Sequence, residues 1–235
     1  MELDPVQLLQ AMRRKGVTVL CHANSVRTST TFLREGGLLS RGAVKDRGLD
    51  QTDQSSDESD RDLGLWYDIF LDGVDIHTRY TAGARNEYGP VLFMYSINLL
   101  SEPNLPPVWV IKSKINPLHW PTSMPMEERY FQSVEEFEAG YQYGDYKSIT
   151  LRDARDPLPF APHMISVLVD QPRQSLDGVD LHEAAMQALA DAAREGGVDP
   201  DKILGRDCSR CRCQRQYESL AEYWLRQLFL PVDAA

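Results

Sequence analysis

The chain has 235 residues, an apolar fraction of 42%, a charged fraction of 26% and a formal net charge of −10, which suits a soluble globular protein with one sizeable core. The acidic balance argues against broad nucleic-acid binding, which needs a basic face, but leaves room for a local basic groove. No apolar run reaches bilayer length, and Arg13, Arg14 and Lys15 follow only a brief amphipathic stretch, so the expected location is cytoplasmic, without a membrane.

The first predicted element is a helix capped by Asp4 and running to about Arg14, with Val6, Leu8, Leu9 and Met12 as its apolar face. Lys15-Gly16 ends it. Val17-Thr18-Val19-Leu20 reads as a short buried strand, and His22-Ala23-Asn24-Ser25 as its polar exit. Thr28 to Glu35 follows as a helix with a hydroxyl-rich start, stopped by Gly36-Gly37. Six acids and one Arg make Asp50 to Asp62 a mobile, solvated loop. Leu65 to Phe70 is apolar and aromatic and must be buried.

Pro90 to Leu99 is a continuous apolar run and the clearest core strand; Val108 to Ile111, Ser148 to Leu151 and Met164 to Val169 are further strands. Pro117 to Pro121 is a rigid aromatic loop. Ser133 to Tyr141 is a helix with Ser133 as N-cap and Glu136 in the capping-box position. Asp180 to Glu195 is an amphipathic helix stopped by Gly196-Gly197, and Tyr217 to Leu230 is a last helix with Leu220, Tyr223, Trp224 and Leu228 as its packing stripe. Irregular loops between strands, with helices mainly at the two ends, predict an α+β fold. We expect a single domain over 1–235, with the acidic loop at 50–62 and a helical C-terminal part at 180–235.

Several function classes are absent by motif. There is no Walker A loop, no G-x-G-x-x-G, no H-E-x-x-H and no G-x-S-x-G. Cys208, Cys211 and Cys213 supply three of the four ligands a zinc site needs, with Cys21, His182 or His163 to complete it through the fold. The other reading, reduced cytosolic thiols at a helix start, is preferred, so no metal is assigned.

What remains is a series of separated pieces: strand-His22-x-Asn24, a helix, Gly36-Gly37-Leu38-Leu39-Ser40-Arg41, then Asp75-Ile76-His77-Thr78-Arg79, then Tyr88 to Ser96. This series, over Val17 to Val169, resembles the DarT-type ADP-ribosyltransferases, toxins that modify DNA bases using NAD. In that family the first strand ends in His-x-Thr, so Asn24 departs from the pattern, and the usual late-strand Glu is not evident. The resemblance implies a split antiparallel β-sheet with flanking helices and NAD as substrate. It implies an acceptor in nucleic acid, single-stranded DNA foremost, and an antitoxin protein as partner.

Carried over by position, His22, Asn24, Thr28 and Tyr95 would hold NAD and Arg79 would clamp its pyrophosphate. The plainer readings are a core histidine, a turn-forming Asn, an N-cap Thr, a core tyrosine and a surface Arg paired with Asp75. Displacement at the ribose anomeric carbon needs a carboxylate for the positive charge of its transition state. Asp145, just before the Ser148 strand, is the first choice. Glu135 and Glu136, then Glu127 and Glu128, follow. Trp120, Tyr130 and Phe131 would stack an unpaired base beside Arg129, with Lys112 and Lys114 as a basic edge, or would simply pack their loop. The alternative to an enzyme is a non-enzymatic interaction module, or a zinc-containing nucleic-acid-binding module, on a transferase-like scaffold.

Overall fold

The computed structural model describes residues 2–79, 86, 88–144, 148–208 and 212–231, with the side chains of 78 and 79 left out. Asp4 caps α1 (Pro5–Arg14) by accepting from the Gln7 amide, as its sequence position requires. Leu8, Leu9 and Met12 are buried there, while Val6 of the expected apolar face is exposed. β1 (Val19–Asn24) runs four residues beyond the expected strand, through the polar His22 and Asn24. α2 (Val26–Arg34) starts two residues before Thr28, because the Ser25 hydroxyl is the cap that receives the Thr28 amide. After β2 (Gly37–Leu38) and α3 (Arg41–Asp46), the acidic run carries a short helix, α4 (Asp57–Asp62), where an irregular loop was expected. Arg41 holds it: Nε and Nη2 donate to the two Asp57 oxygens at 2.9 and 2.5 Å, and Nη1 donates to the Thr52 carbonyl at 2.7 Å.

The next strands are β3 (Ile69–Asp72), β4 (Val91–Ser96) and β5 (Val108–Val110). β4 stops at Ser96, short of the expected Leu99, because the Ser96 side chain caps a 3-10 turn over Ile97–Ser101. α5 (Met126–Arg129) and α6 (Val134–Gly140) precede β6 (Ser148–Leu151). At α6, Ser133 Oγ receives the Glu136 amide, and Glu136 reaches back to the Gln132 amide, one residue beyond the usual capping-box partner. β7 (Leu158–Pro159), β8 (Met164–Asp170), β9 (Ser175–Leu176) and β10 (Val179–Asp180) lead to α7 (Leu181–Glu195), then β11 (Ile203–Arg206). The expected last helix is two, α8 (Cys213–Glu218) and α9 (Glu222–Phe229). Tyr223 and Trp224 of the expected stripe are exposed, Leu228 of it is buried, and Tyr217, Leu225 and Phe229 are buried as well.

The fold is mixed α+β. Its main sheet has the order β11-β8-β4-β1-β3-β6-β5, antiparallel except for the parallel pair of β11 and β8, so it is a mixed sheet and not a purely antiparallel one. Alternation along the strands puts Leu20, Leu71, Phe93, Tyr95, Ile149 and Val167 into the principal core beneath the helices. Phe70 and Trp109 point the other way, onto a second cluster of Leu63, Leu65, Ile111, Trp120 and Tyr130.

The ladder is not uniform. β1 pairs with β4 at six positions, from Val19 with Ser96 to Asn24 with Val91. Between β1 and β3 the ladder has one rung, Cys21 with Asp72. A seam therefore divides the sheet into β11-β8-β4-β1 on one side and β3-β6-β5 on the other.

Candidate active site

His22 sits on this seam. Its Nδ1 lies 2.8 Å from the Phe70 carbonyl of β3, so that bond crosses from one half-sheet to the other. A carbonyl only accepts, so Nδ1 carries the proton and Nε2 is left as an acceptor. The Asn24 amide donates to Nε2 over a long 3.4 Å, and Asn24 Oδ1 accepts from the Ser25 amide at 2.9 Å, which fixes the amide's orientation. Burial lowers the His22 pKa and outweighs the Phe70 bond, which raises it, so the ring is neutral at pH 7. The His22 ring packs 5.8 Å from Phe32 of α2 and pairs across the ladder with Phe93. His22 and Asn24, both expected to hold NAD, thus lie in contact with each other.

Thr28 and Tyr95 stand elsewhere. Thr28 is fully buried at the start of α2, where its Oγ1 accepts from the Thr52 amide at 3.0 Å and from Ser25 Oγ at 3.2 Å. Its hydroxyl ties Thr52 to the helix start, and the N-cap that the plainer reading gave to Thr28 is Ser25. Tyr95 is also fully buried, 6.3 Å from Phe160, and its hydroxyl has no hydrogen-bond partner among the described residues. It is a core side chain, not a face on which a ring could stack. The Arg79 side chain and Asp145 lie outside the described residues. Asp75, the partner expected for Arg79, pairs with Arg206 at 2.5 Å.

Of the other acids of the sequence reading, Glu135 and Glu136 serve the start of α6. Glu136 accepts from Lys112 Nζ at 2.8 Å, which lowers its pKa, and the Gln132 amide adds to this. Backbone and Ser133 hydrogen bonds at the helix start lower that of Glu135. A carboxylate that sequence reading passed over as a turn residue is Asp72. It forms the single rung with Cys21, is buried, and accepts from Ser148 Oγ at 2.5 Å. Only the register identifies it, because Asp72-Gly73 looks like a strand exit.

The aromatic loop expected to stack a base is packed down. Trp120, Tyr130 and Phe131 are buried, and Tyr130 meets Trp109 and Trp120 edge-on at 5.0 and 5.6 Å. Arg129 is buried too and donates to the Thr122 carbonyl at 3.0 Å, so it does not offer its guanidinium to a phosphate. Lys112 is paired with Glu136. A surface depression of about 430 Å³ lies at the β5–β6 edge and is lined by Tyr67, Asp68, Trp109, Arg152 and Arg155; His22 does not line it. Arg152 pairs there with Asp68 at 2.8 Å and lies over Trp109. Burial pushes the Asp68 carboxyl up to about 6, and Arg152 only partly offsets it.

No protein-family model matches the chain, and comparison with curated proteins yields no match. Among the described residues no helix is long and apolar enough to cross a membrane.

Proposed function

We propose that the chain is an NAD-dependent ADP-ribosyltransferase that modifies a base in nucleic acid, single-stranded DNA foremost, as a toxin or defence component restrained by an antitoxin protein. The observation that carries this reading is the seam. Two parts of one sheet joined by a single β1–β3 rung, with a neutral histidine bonded across the joint, support this reading. His22 Nε2 accepts from a ribose hydroxyl of NAD, displacing the long Asn24 contact. Arg79 binds the pyrophosphate.

In the reaction the bond from ribose C1′ to nicotinamide breaks and one from C1′ to the acceptor base forms. A carboxylate takes the proton that the base loses, and nicotinamide leaves neutral. Asp72 lies on β3, in the half-sheet opposite His22, and Asp145 is the candidate that the resemblance supplies. The test is NAD turnover by the purified chain with single-stranded DNA, measured alongside His22→Ala, Arg79→Ala, Asp145→Asn and Asp72→Asn. Loss of turnover in folded His22 and Arg79 variants, and in one Asp variant, is expected. Unchanged turnover in both His22→Ala and Arg79→Ala would overturn the site.

One observation favours a second reading, an interaction module without catalysis. Among the described residues both ring nitrogens of His22 already have protein partners. That module would gain no heat resistance from NAD, whereas a chain that binds NAD must be stabilised by it.

A further inference from the structure

The transferase reading leaves the C-terminal cysteines without a task. Cys208 follows β11 and Cys213 opens α8, and both are buried. They converge on Asp170, the buried last residue of β8. The two sulfurs and a carboxylate oxygen lie within 4.8 Å of one another. None of the sequence-derived fourth ligands is part of this group. His163 pairs with Glu102, and His182 Nδ1 contacts the backbone carbonyl of Asp170, not its carboxylate.

We propose that Cys208, Cys213 and Asp170 bind a zinc ion that fastens the start of α8 to the end of the sheet. The spacing fits. Ligands on a tetrahedral zinc, at about 2.3 Å for sulfur and about 2.0–2.2 Å for oxygen, stand roughly 3.5–4 Å apart, so closing on the ion needs only a small shift. The donors fit as well. Two thiolates with one carboxylate select zinc over the oxygen-seeking magnesium and calcium.

The surroundings orient the carboxylate. Arg206 Nε donates to Asp170 Oδ1 at 2.7 Å, and Tyr217 Oη donates to Oδ2 at 2.6 Å. Two thiolates and a carboxylate exceed the zinc charge by one negative unit, which Arg206, shared with Asp75, opposes in part. Binding exchanges two S–H bonds for two Zn–S bonds and releases two protons to solvent, with no change of oxidation state. Without zinc both thiols hydrogen-bond the Asp170 carboxylate, and Cys208 also lies 3.6 Å from the Arg206 carbonyl and Cys213 3.7 Å from that of His77. Cys211, between them in sequence, lies outside the described residues; the three named ligands fill three of the four zinc positions, and a water takes the fourth.

The experiment measures zinc in the purified full chain by mass spectrometry. About one zinc per chain is expected, retained in Cys21→Ser. Cys208→Ser and Cys213→Ser should lose it, and Asp170→Asn should bind it at least ~10-fold more weakly. Cobalt exchanged into the site should show thiolate charge-transfer absorption that falls when either cysteine is replaced.

Should those variants not fold, alkylation of the native chain gives the same answer. Cys208 and Cys213 should resist alkylation until a chelator is added, and Cys21 should not respond to the chelator. Absence of zinc, equal zinc in the Cys208 and Cys213 variants, chelator-independent alkylation, or a disulfide between Cys208 and Cys213 would each overturn the proposal.

Discussion

Replacing His22 by Ala separates the two tasks assigned to it. The imidazole bonds the Phe70 carbonyl across a seam that has one ladder rung, and packs against Phe32. Removing it leaves that carbonyl without its donor, at about 1–3 kcal/mol, and forfeits a ring contact of ~0.5–1.5 kcal/mol. The sum, about 1.5–4.5 kcal/mol, is smaller than the 5–15 kcal/mol that roughly bounds domain stability, so the variant still folds. Urea titration should show a lower midpoint with unchanged slope.

The pH dependence adds a second readout. Burial sets the folded His22 pKa below its unfolded value of 6.5. The stability it contributes is therefore fully present above pH 6.5 and is lost as pH falls through the folded pKa. The gap between wild type and His22→Ala should narrow below pH 6.5. A loss under ~0.5 kcal/mol, within the range of an unremarkable surface change, would refute the bond as the strap of the seam. Lost stability with unchanged NAD turnover per folded molecule would refute the ligand role instead.

Thr28→Val should cost about 1–3 kcal/mol by stranding the Thr52 amide, yet leave NAD turnover intact in the folded fraction; a selective loss of turnover would restore Thr28 to the site. Gly89→Ala should cost about 3 kcal/mol by the combined penalties of a left-handed conformation and overpacking. Gly89 has φ +105°, and an added Cβ would stand 2.3 Å from the Asn24 carbonyl oxygen. A thermal melt within a degree of wild type would contradict this. Asp68 has its folded pKa raised from 3.8 to about 6, so the stability it contributes is present below pH 3.8 and lost as pH rises through about 6. Asp68→Asn should therefore gain on wild type by up to about 3 kcal/mol between pH 4 and pH 7, read by urea titration at both values; a constant difference would show that Arg152 holds the charge without penalty.

Local chemistry made some elements legible in the sequence and tertiary pairing hid others. Asp4 and Asp180 announce α1 and α7 because their side chains accept from the first-turn amides. The apolar run into β4 is equally plain. The far end of β1 is not, since His22 and Asn24 look like loop residues until Phe93 and Val91 are known to lie opposite them. Leu220 to Trp224 suggests one continuous helix, but the chain turns at Ser219–Ala221 and leaves Tyr223 and Trp224 outside. In the site, only the i, i+2 spacing of His22 and Asn24 foretold that they share a face. The burial of Tyr95, Trp120 and Tyr130 could not be read, because an aromatic in a strand or loop has the same pattern whether it packs or binds.

The seam also decides how an acid could meet His22. Six rungs fix β1 to β4, and four fix β3 to β6. His22 is thus rigid with one half-sheet, and Asp72 and the entry to β6 with the other. One rung and the His22–Phe70 bond set the separation between them. A ligand seated on the seam meets donors from both halves, and its grip depends on the contact that is also the weakest joint of the sheet. Under the transferase reading, NAD that takes hydrogen bonds from both halves adds the ties the ladder lacks, so bound NAD should slow amide exchange at Cys21 and Asp72 more than at Leu92. Equal protection across β1, β3 and β4, or none, would mean that the ligand does not bridge the two halves.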